Sequence, residues 1–326
     1  MATTHAIRIH QPGGPEAMKW EEVELGAPGP GEMLIRNTAV GLNYIDTYHR
    51  SGLYPLPMPS VIGMEGVGVV EKLGPKVKDF KVGDRVAYAQ PIGAYAERRI
   101  VPAERMVKIP SGIDDRTAAA MMLKGMTAEY LIRRTYKVKE GDAILVHAAA
   151  GGVGLILCQW GKFLGAKVIG TVSNEEKAAL AKKHGCHHPI VVPPGGDFAK
   201  QVREITKGKG VAVVYDGIGK DSFTGSLDSL RPLGMMVSYG NASGPVAPFS
   251  PAILSAKGSL FLTRPTLMTY VAARDDLVKS ANALFSVVKK GAVKIRINQT
   301  YPLSEAVRAH QDLEGRKTTG STVLLP

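Results

Sequence analysis

The feature that most constrains the fold is a regular alternation of apolar strands and amphipathic helices between residues 143 and 265. The strand-like segments, such as AILVH and VAVVYD, are apolar throughout rather than apolar at every second position. Strands of this kind are typical of a parallel sheet that helices cover on both faces. Six strand-helix steps predict a complete doubly wound α/β domain of the Rossmann type.

The first strand of this series leads directly into a glycine-rich turn, AILVH-AAAGGVG (143–154). Ala149, Gly151 and Gly154 have the spacing of the dinucleotide fingerprint, with alanine in place of its first glycine. Small residues let the backbone approach a pyrophosphate, and the following helix presents free N–H groups to that anion. Tight helix–strand packing without a ligand is the alternative, and the strand–turn–helix context disfavours it. The turn predicts a dinucleotide site, with these contact residues: Ala150, Gly151, Gly152 and Val153.

The end of the second strand indicates which dinucleotide binds. AKVIGTV is followed by Ser173 and Asn174, where NAD-specific domains carry an acidic residue for the ribose 2′-hydroxyl. Ser173 and Lys177 could instead accept a 2′-phosphate. Ser173 and Glu176 also have the spacing of a capping box, and Lys177 could be an ordinary solvated lysine. The pattern favours NADPH over NADH.

Outside residues 143–265, the sequence does not show this alternation of strands and helices. Residues 1–125 contain short strand-like segments separated by glycine and proline, with one helical insert at 44–52 and a helix that Asp114 or Asp115 could cap. We expect a β-rich domain over 1–125, the Rossmann domain over 126–265, and a tail over 266–326 that returns to the first domain.

Composition narrows the class of protein. The formal charge is +12, but its basic residues are scattered, which suggests a surface that attracts anionic cofactors more than a nucleic-acid site. Cys158 and Cys186 form no CxxC pair, which argues against a disulfide framework or a cysteine-rich zinc site. His184, His187 and His188 are expected at the surface. No long apolar run indicates a membrane span or a signal peptide, so we expect a cytoplasmic protein.

Several motifs together resemble one superfamily. GLNYIDTYHRSGLYP (41–55), GMEGVGVVEKLG (63–74) and HAAAGGVGLILCQW (147–160) are similar to the medium-chain dehydrogenases/reductases, in the NADPH:quinone oxidoreductase branch that includes zeta-crystallin. The similarity runs from residue 6 to the C-terminus. It implies a GroES-like catalytic domain, NADPH-dependent reduction of a quinone or another conjugated carbonyl, and a homodimer joined through SLFLTRP (259–265).

The resemblance also implies chemistry without a metal. Alcohol dehydrogenases of this superfamily carry a cysteine and a histidine as zinc ligands where this chain has Asn43–Asp46 and Met64–Glu65, and the four-cysteine zinc loop is missing. Without a Lewis acid, the acceptor must already be electrophilic, as quinones are.

Roles for individual residues follow from the same resemblance. Asn43 is expected near the nicotinamide and the acceptor oxygen. Tyr54 lies where related enoyl-thioester reductases have a catalytic tyrosine, although it could equally be a turn aromatic before Pro55. Asp46 and Arg50 have the spacing of a local i,i+4 pair. The remaining residues expected to line the cofactor cleft or reach its phosphates are Lys124, Thr127, Ile218, Tyr239, Gly240, Phe261, Thr263 and Arg316.

One departure and two rival functions stay open. Val192 stands where this branch usually has a tyrosine against the adenosine, which predicts a poorer contact there. The chain could be an enal or enoyl double-bond reductase with Tyr54 as the proton donor. It could also be a nucleotide-gated RNA-binding protein, although aromatic residues make up only 6% of the chain.

Overall fold

The computed structural model describes residues 2–193 and 195–326. The chain divides into two compact units. The first, called the β-rich unit here, comprises Met1–Met126, Ala273–Phe285 and Ile295–Pro326. The second, called the α/β unit, comprises Thr127–Ala272 and Ser286–Lys294.

The β-rich unit begins with strands whose side chains alternate between core and surface, as in a sheet with one buried face. Its first elements, in chain order, are β1 (Ala2–Ile9), β2 (Met18–Leu25), β3 (Glu32–Leu42), α1 (Tyr44–Ser51), β4 (Ser60–Val61), β5 (Glu65–Leu73), β6 (Arg85–Tyr88), β7 (Arg98–Pro102), β8 (Val107–Lys108), α2 (Asp115–Ala119) and α3 (Met122–Tyr130). The residues of α3 after Met126 belong to the α/β unit. β1 lies between β2 and β4 in a small antiparallel sheet.

The α/β unit contains a six-stranded sheet in which every strand pair is parallel. After a π-helical turn over Leu131–Thr135, its elements are β9 (Ala143–Val146), α4 (Gly152–Phe163), β10 (Lys167–Val172), α5 (Glu175–Lys183), β11 (His188–Val191), α6 (Ala199–Ile205), β12 (Val211–Asp216), α7 (Phe223–Ser229), β13 (Leu230–Ser238), α8 (Ala252–Ala256), β14 (Phe261–Thr263) and α9 (Leu267–Tyr270). The strand order is β11-β10-β9-β12-β13-β14, so successive strands are added on one side of β9 and then on the other. This order confirms the predicted doubly wound fold.

The last part of the chain completes the large sheet of the β-rich unit. It contains α10 (Arg274–Lys289), β15 (Ile297–Pro302), α11 (Ala306–Glu314) and β16 (Ser321–Leu325). β16 pairs antiparallel with β3 and parallel with β15, so the sheet runs β15-β16-β3-β5-β6-β8, with β7 also on β3. Leu303, Ala306 and Ala309 then pack into the same core as the strands of residues 7–101.

Several local expectations are corrected. The helix expected after residue 114 is divided into α2 and α3, and its cap is Asp114, whose Oδ1 accepts from the Thr117 N–H at 2.9 Å. The helix expected after Pro265 is likewise broken, between α9 and α10. No helix among the described residues is long and apolar enough to cross a membrane.

Candidate active site

The glycine-rich turn of the α/β unit leaves a helix N-terminus open. α4 begins at Gly152, and the N-cap residue Gly151 provides no side-chain hydrogen bond. A Cβ on Gly154 would overlap the carbonyl oxygen of Ala148 and lie 2.8 Å from the Cα of Ala149, so only glycine allows this close approach. Free N–H groups at the start of a helix bind phosphate, so the turn fits a dinucleotide pyrophosphate.

Several other predicted residues of this unit follow the carboxyl ends of parallel strands, which meet at one edge of the sheet, whereas Thr127 lies in α3 and Phe261 and Thr263 lie within β14. The loops after β12 and β13 lie together there: Tyr239 N–H donates to the Asp216 carbonyl at 2.8 Å. A Cβ on Gly240 would lie 2.9 Å from the Cα of Gly217. The candidates that follow strand ends at this edge are Ala150, Gly151, Gly152, Val153, Ser173, Ile218, Tyr239 and Gly240.

The end of β10 has the features expected for a 2′-phosphate. Ser173 is exposed directly after the strand, and Lys177 is half-buried in the first turns of α5. The proposed capping box is wrong, because Asn174 is the N-cap and its Oδ1 accepts from the Lys177 N–H at 2.9 Å. Ser173 is therefore not occupied as a helix cap. Val192 packs against the core of the α/β unit.

A buried polar network, which sequence reasoning missed, supports this edge. His147 follows β9 and precedes the glycine-rich turn. Its Nδ1 lies 2.7 Å from Thr171 Oγ1 and its Nε2 lies 2.8 Å from Ser226 Oγ. Ser226 donates onward to Asp216, whose Oδ1 accepts from the Ile218 N–H at 2.8 Å. Burial lowers the pKa of His147, which keeps the ring neutral. The network ties three strand ends to the loop that carries Ile218.

The β-rich unit gathers a second group around Glu65, which is fully buried. Glu65 Oε2 accepts from Asn43 Nδ2 at 2.9 Å and from Lys124 Nζ at 2.8 Å, and Oε1 accepts from the Leu123 N–H at 2.8 Å. Gly41 lies opposite Glu65 in the β3–β5 register, and a Cβ there would overlap the carboxylate. Two predicted residues, Asn43 and Lys124, are thus joined by one carboxylate.

The predicted pair of Asp46 with Arg50 is wrong. Asp46 Oδ2 accepts from the Asn43 N–H at 2.9 Å and from Tyr95 Oη at 3.0 Å. Arg50 instead donates to the Glu314 carboxylate, from Nη1 at 2.9 Å and from Nη2 at 2.8 Å. Both residues have partners far away in the chain, which an i,i+4 rule does not find.

Tyr54 and Arg316 have other surroundings. The Tyr54 ring packs edge-on against Tyr48, with ring centroids 5.2 Å apart, and against His49 at 6.0 Å. Arg316 is exposed just after α11, with a positive φ of 58°. Burial raises the pKa of Tyr44, with Glu314 adding to the shift and Arg316 opposing it, so Arg316 acts electrostatically on the first residue of α1.

Two buried groups in this unit have strongly displaced pKa values. Burial raises the pKa of Asp46 from 3.8 to about 7, with Glu65 adding to the shift and Lys124 opposing it. Burial, together with the Arg50 cation, lowers the pKa of His310 from 6.5 to about 3. Asp46 binds its proton more tightly in the folded chain than in the unfolded one, and His310 binds its proton less tightly.

These two displacements predict opposite pH dependences. The Asp46 contribution to stability falls as pH rises from about 4 to 7, whereas the His310 contribution rises from about pH 3 to 6.5, so they offset each other. Between about pH 4.5 and 6.5, the unfolding free energy of Asp46→Asn should rise by about 2 to 3 kcal/mol relative to wild type, and that of His310→Gln should fall similarly. Urea unfolding at both pH values measures this. Profiles parallel to wild type in both variants would contradict the assignment.

The histidine expectation is partly corrected. His187 is exposed, but His184 is buried and its Nδ1 lies 2.8 Å from the Leu180 carbonyl. No cluster of three or more His, Cys, Asp or Glu side chains with metal-binding geometry occurs within residues 2–193 and 195–326.

A GroES-like sheet unit joined to a doubly wound unit with an open phosphate turn defines the medium-chain dehydrogenase/reductase class. Family models agree: residues 29–111 match the alcohol dehydrogenase GroES-like domain, and residues 152–284 match the zinc-binding dehydrogenase domain.

Individual relatives narrow the class. A quinone oxidoreductase of Pseudomonas aeruginosa is 52% identical over 96% of this chain and 97% of the relative. A 2-haloacrylate reductase of a Burkholderia species is also 52% identical, over 98% of both chains. The crystal structure of Escherichia coli quinone oxidoreductase complexed with NADPH superimposes with a TM-score of 0.96, at 46% identity and with full coverage of both chains. The chain belongs to the zinc-free quinone oxidoreductase family of the medium-chain dehydrogenases/reductases.

Proposed function

We propose that this chain is an enzyme that reduces quinones with NADPH. The observation that carries the proposal is the uncapped start of α4, beside a strand end that offers Ser173 rather than a carboxylate. The relatives named quinone oxidoreductase, and the NADPH complex of one of them, support it. Bound NADPH supplies a hydride from its nicotinamide.

The residues that hold the cofactor divide by unit. In the α/β unit, backbone N–H groups after Ala149 bind the pyrophosphate, and Ser173 with Lys177 binds the 2′-phosphate. The residues proposed to contact the remainder are Thr127, Ile218, Tyr239, Gly240, Phe261 and Thr263. In the β-rich unit, the proposed contact residues are Lys124 and Arg316.

Asn43 can play only one kind of hydrogen-bonding role toward a ligand. Its Nδ2 group donates to Glu65 Oε2 at 2.9 Å and to the Gly41 carbonyl at 3.2 Å, so both amide hydrogens are used. Its Oδ1 can only accept, and at the start of α1 it belongs to a capping box with the backbone N–H of Asp46. Tyr54 is the proposed proton donor to the acceptor oxygen, because a phenol can donate where Asn43 cannot.

A parallel assay tests the function. EDTA-treated protein is given NADPH with 1,4-benzoquinone, 9,10-phenanthrenequinone or a 2-enal, with NADH as the control, and loss of reduced nicotinamide absorbance is followed. Quinone turnover that prefers NADPH and is unaffected by the chelator is expected. Turnover of the enal alone would favour double-bond reduction, the reaction class suggested by the haloacrylate reductase relative. Tight NADPH binding without any turnover would favour a binding protein.

We also propose a homodimer joined through β14. This strand is the last on its side of the six-stranded sheet, and Phe261 is 55% exposed on it. An unpaired apolar edge can extend a sheet across a two-fold axis. Sedimentation of the purified protein as a monomer would contradict this.

A further inference from the structure

We propose that Tyr95 and His310 are positioning residues for quinone reduction: they orient Asp46, and Asp46 holds the backbone of Asn43. This role rests on the proposed function, in which Asn43 lies beside the reacting groups. Neither residue is near Asn43 in the sequence, since His310 lies in α11 and Tyr95 lies between β6 and β7.

The hydrogen bonds form one chain with a fixed direction. Arg50 Nη1 lies 3.0 Å from His310 Nδ1, and because a guanidinium can only donate, Nδ1 accepts. The neutral ring therefore carries its proton on Nε2, which donates to Tyr95 Oη at 3.1 Å. The Tyr95 hydroxyl is then left to donate to Asp46 Oδ2 at 3.0 Å.

Both ends of this chain are anchored. The Arg50 side chain is only 3% exposed, and besides its two bonds to Glu314 it donates from Nε to the Gly13 carbonyl at 3.1 Å. At the other end, Asp46 Oδ2 accepts from the Asn43 N–H at 2.9 Å. Asn43 is consequently held through its backbone by Asp46 and through its side chain by Glu65.

This series of hydrogen bonds fixes the orientation of Asp46 and does not transfer protons. Arg50 acts only as a donor, and burial keeps the pKa of His310 at about 3, so the ring stays neutral near pH 7. Asp46 Oδ2 accepts from Asn43 and Tyr95 whether or not its Oδ1 is protonated. Displacement of a reacting group by about 1 Å can lower a rate by about a hundredfold, so residues that fix the position of Asn43 can strongly affect the rate.

The test compares Tyr95→Phe, His310→Leu and His310→Gln with the control Tyr88→Phe. Tyr88 is also fully buried in the β-rich unit, and its hydroxyl donates to Asn37 Oδ1 at 2.9 Å, outside the chain described. We expect kcat for benzoquinone to fall about tenfold in Tyr95→Phe and His310→Leu, the equivalent of one lost hydrogen bond. The Kd for NADPH should change less than about twofold. In Tyr95→Phe and His310→Leu without ligand, the amide hydrogens of residues 43–51 should exchange faster than in wild type.

His310→Gln should recover part of kcat, because an amide can accept from Arg50 and donate to Tyr95. Tyr88→Phe should leave kcat and the amide hydrogen exchange of residues 43–51 at wild-type values. Equal losses in Tyr88→Phe and Tyr95→Phe, or unchanged exchange over 43–51 in Tyr95→Phe, would overturn the proposal. If wild type reduces no quinone, the proposed function fails, and the exchange comparison alone still decides whether Tyr95 and His310 hold Asn43.

Discussion

Replacing Lys124 with methionine should lower the free energy of unfolding by about 3 to 5 kcal/mol, because it leaves the Glu65 carboxylate buried without its cation. Lys124 Nζ lies 2.8 Å from Glu65 Oε2, and the two side chains are 7% and 0% exposed. Methionine has similar volume, so packing changes little while the charge is removed. Chemical denaturation at constant pH measures the loss.

Two further variants make this result specific. Arg308→Met breaks the exposed pair with Glu305, whose side chains are 69% and 45% exposed, and should cost at most about 1 kcal/mol. Glu65→Gln combined with Lys124→Met removes both charges and should regain part of the lost stability. If Lys124→Met costs no more than Arg308→Met, the buried pair does not stabilise the β-rich unit as described.

Gly154→Ala should weaken NADPH binding by about tenfold to a hundredfold, the equivalent of the 1 to 3 kcal/mol that overpacking usually costs. The new Cβ would overlap the Ala148 carbonyl oxygen and approach the backbone of Ala149, and neither can rotate away as a side chain would. The turn must then move away from the position in which its N–H groups meet a phosphate. Fluorescence titration with NADPH measures the change in Kd.

Graded controls accompany this variant. A Cβ on Gly151 would lie 3.2 Å from the Ala148 oxygen, so Gly151→Ala should have a smaller effect. A Cβ on Gly26, in the β-rich unit, would meet only Ile100 Cδ1 at 3.7 Å, so Gly26→Ala should bind NADPH as wild type does. Wild-type affinity in Gly154→Ala would show that the turn is not the phosphate site.

The α/β fold was predictable because its signals are local. Apolar strands such as β9 and β12 and the glycine-rich turn each lie within about a dozen residues, so periodicity and turn chemistry reveal them. The boundary after β10 was harder, because Ser173 and Asn174 are neighbouring residues that can both cap a helix, and Asn174 does so.

The candidate site divides in the same way. The sequence by itself indicated the glycine-rich turn and the missing acidic residue after β10, and its resemblance to a family made Asn43 and Lys124 candidates. Only the tertiary structure decided that Glu65 joins those two, that Arg50 pairs with Glu314 rather than Asp46, and that His310 contacts Tyr95. These contacts join residues 22 to 264 positions apart, and no local pattern encodes which distant side chain meets a buried charge. The choice is made when strand pairing and core packing bury polar groups together, because each buried group must then find a partner.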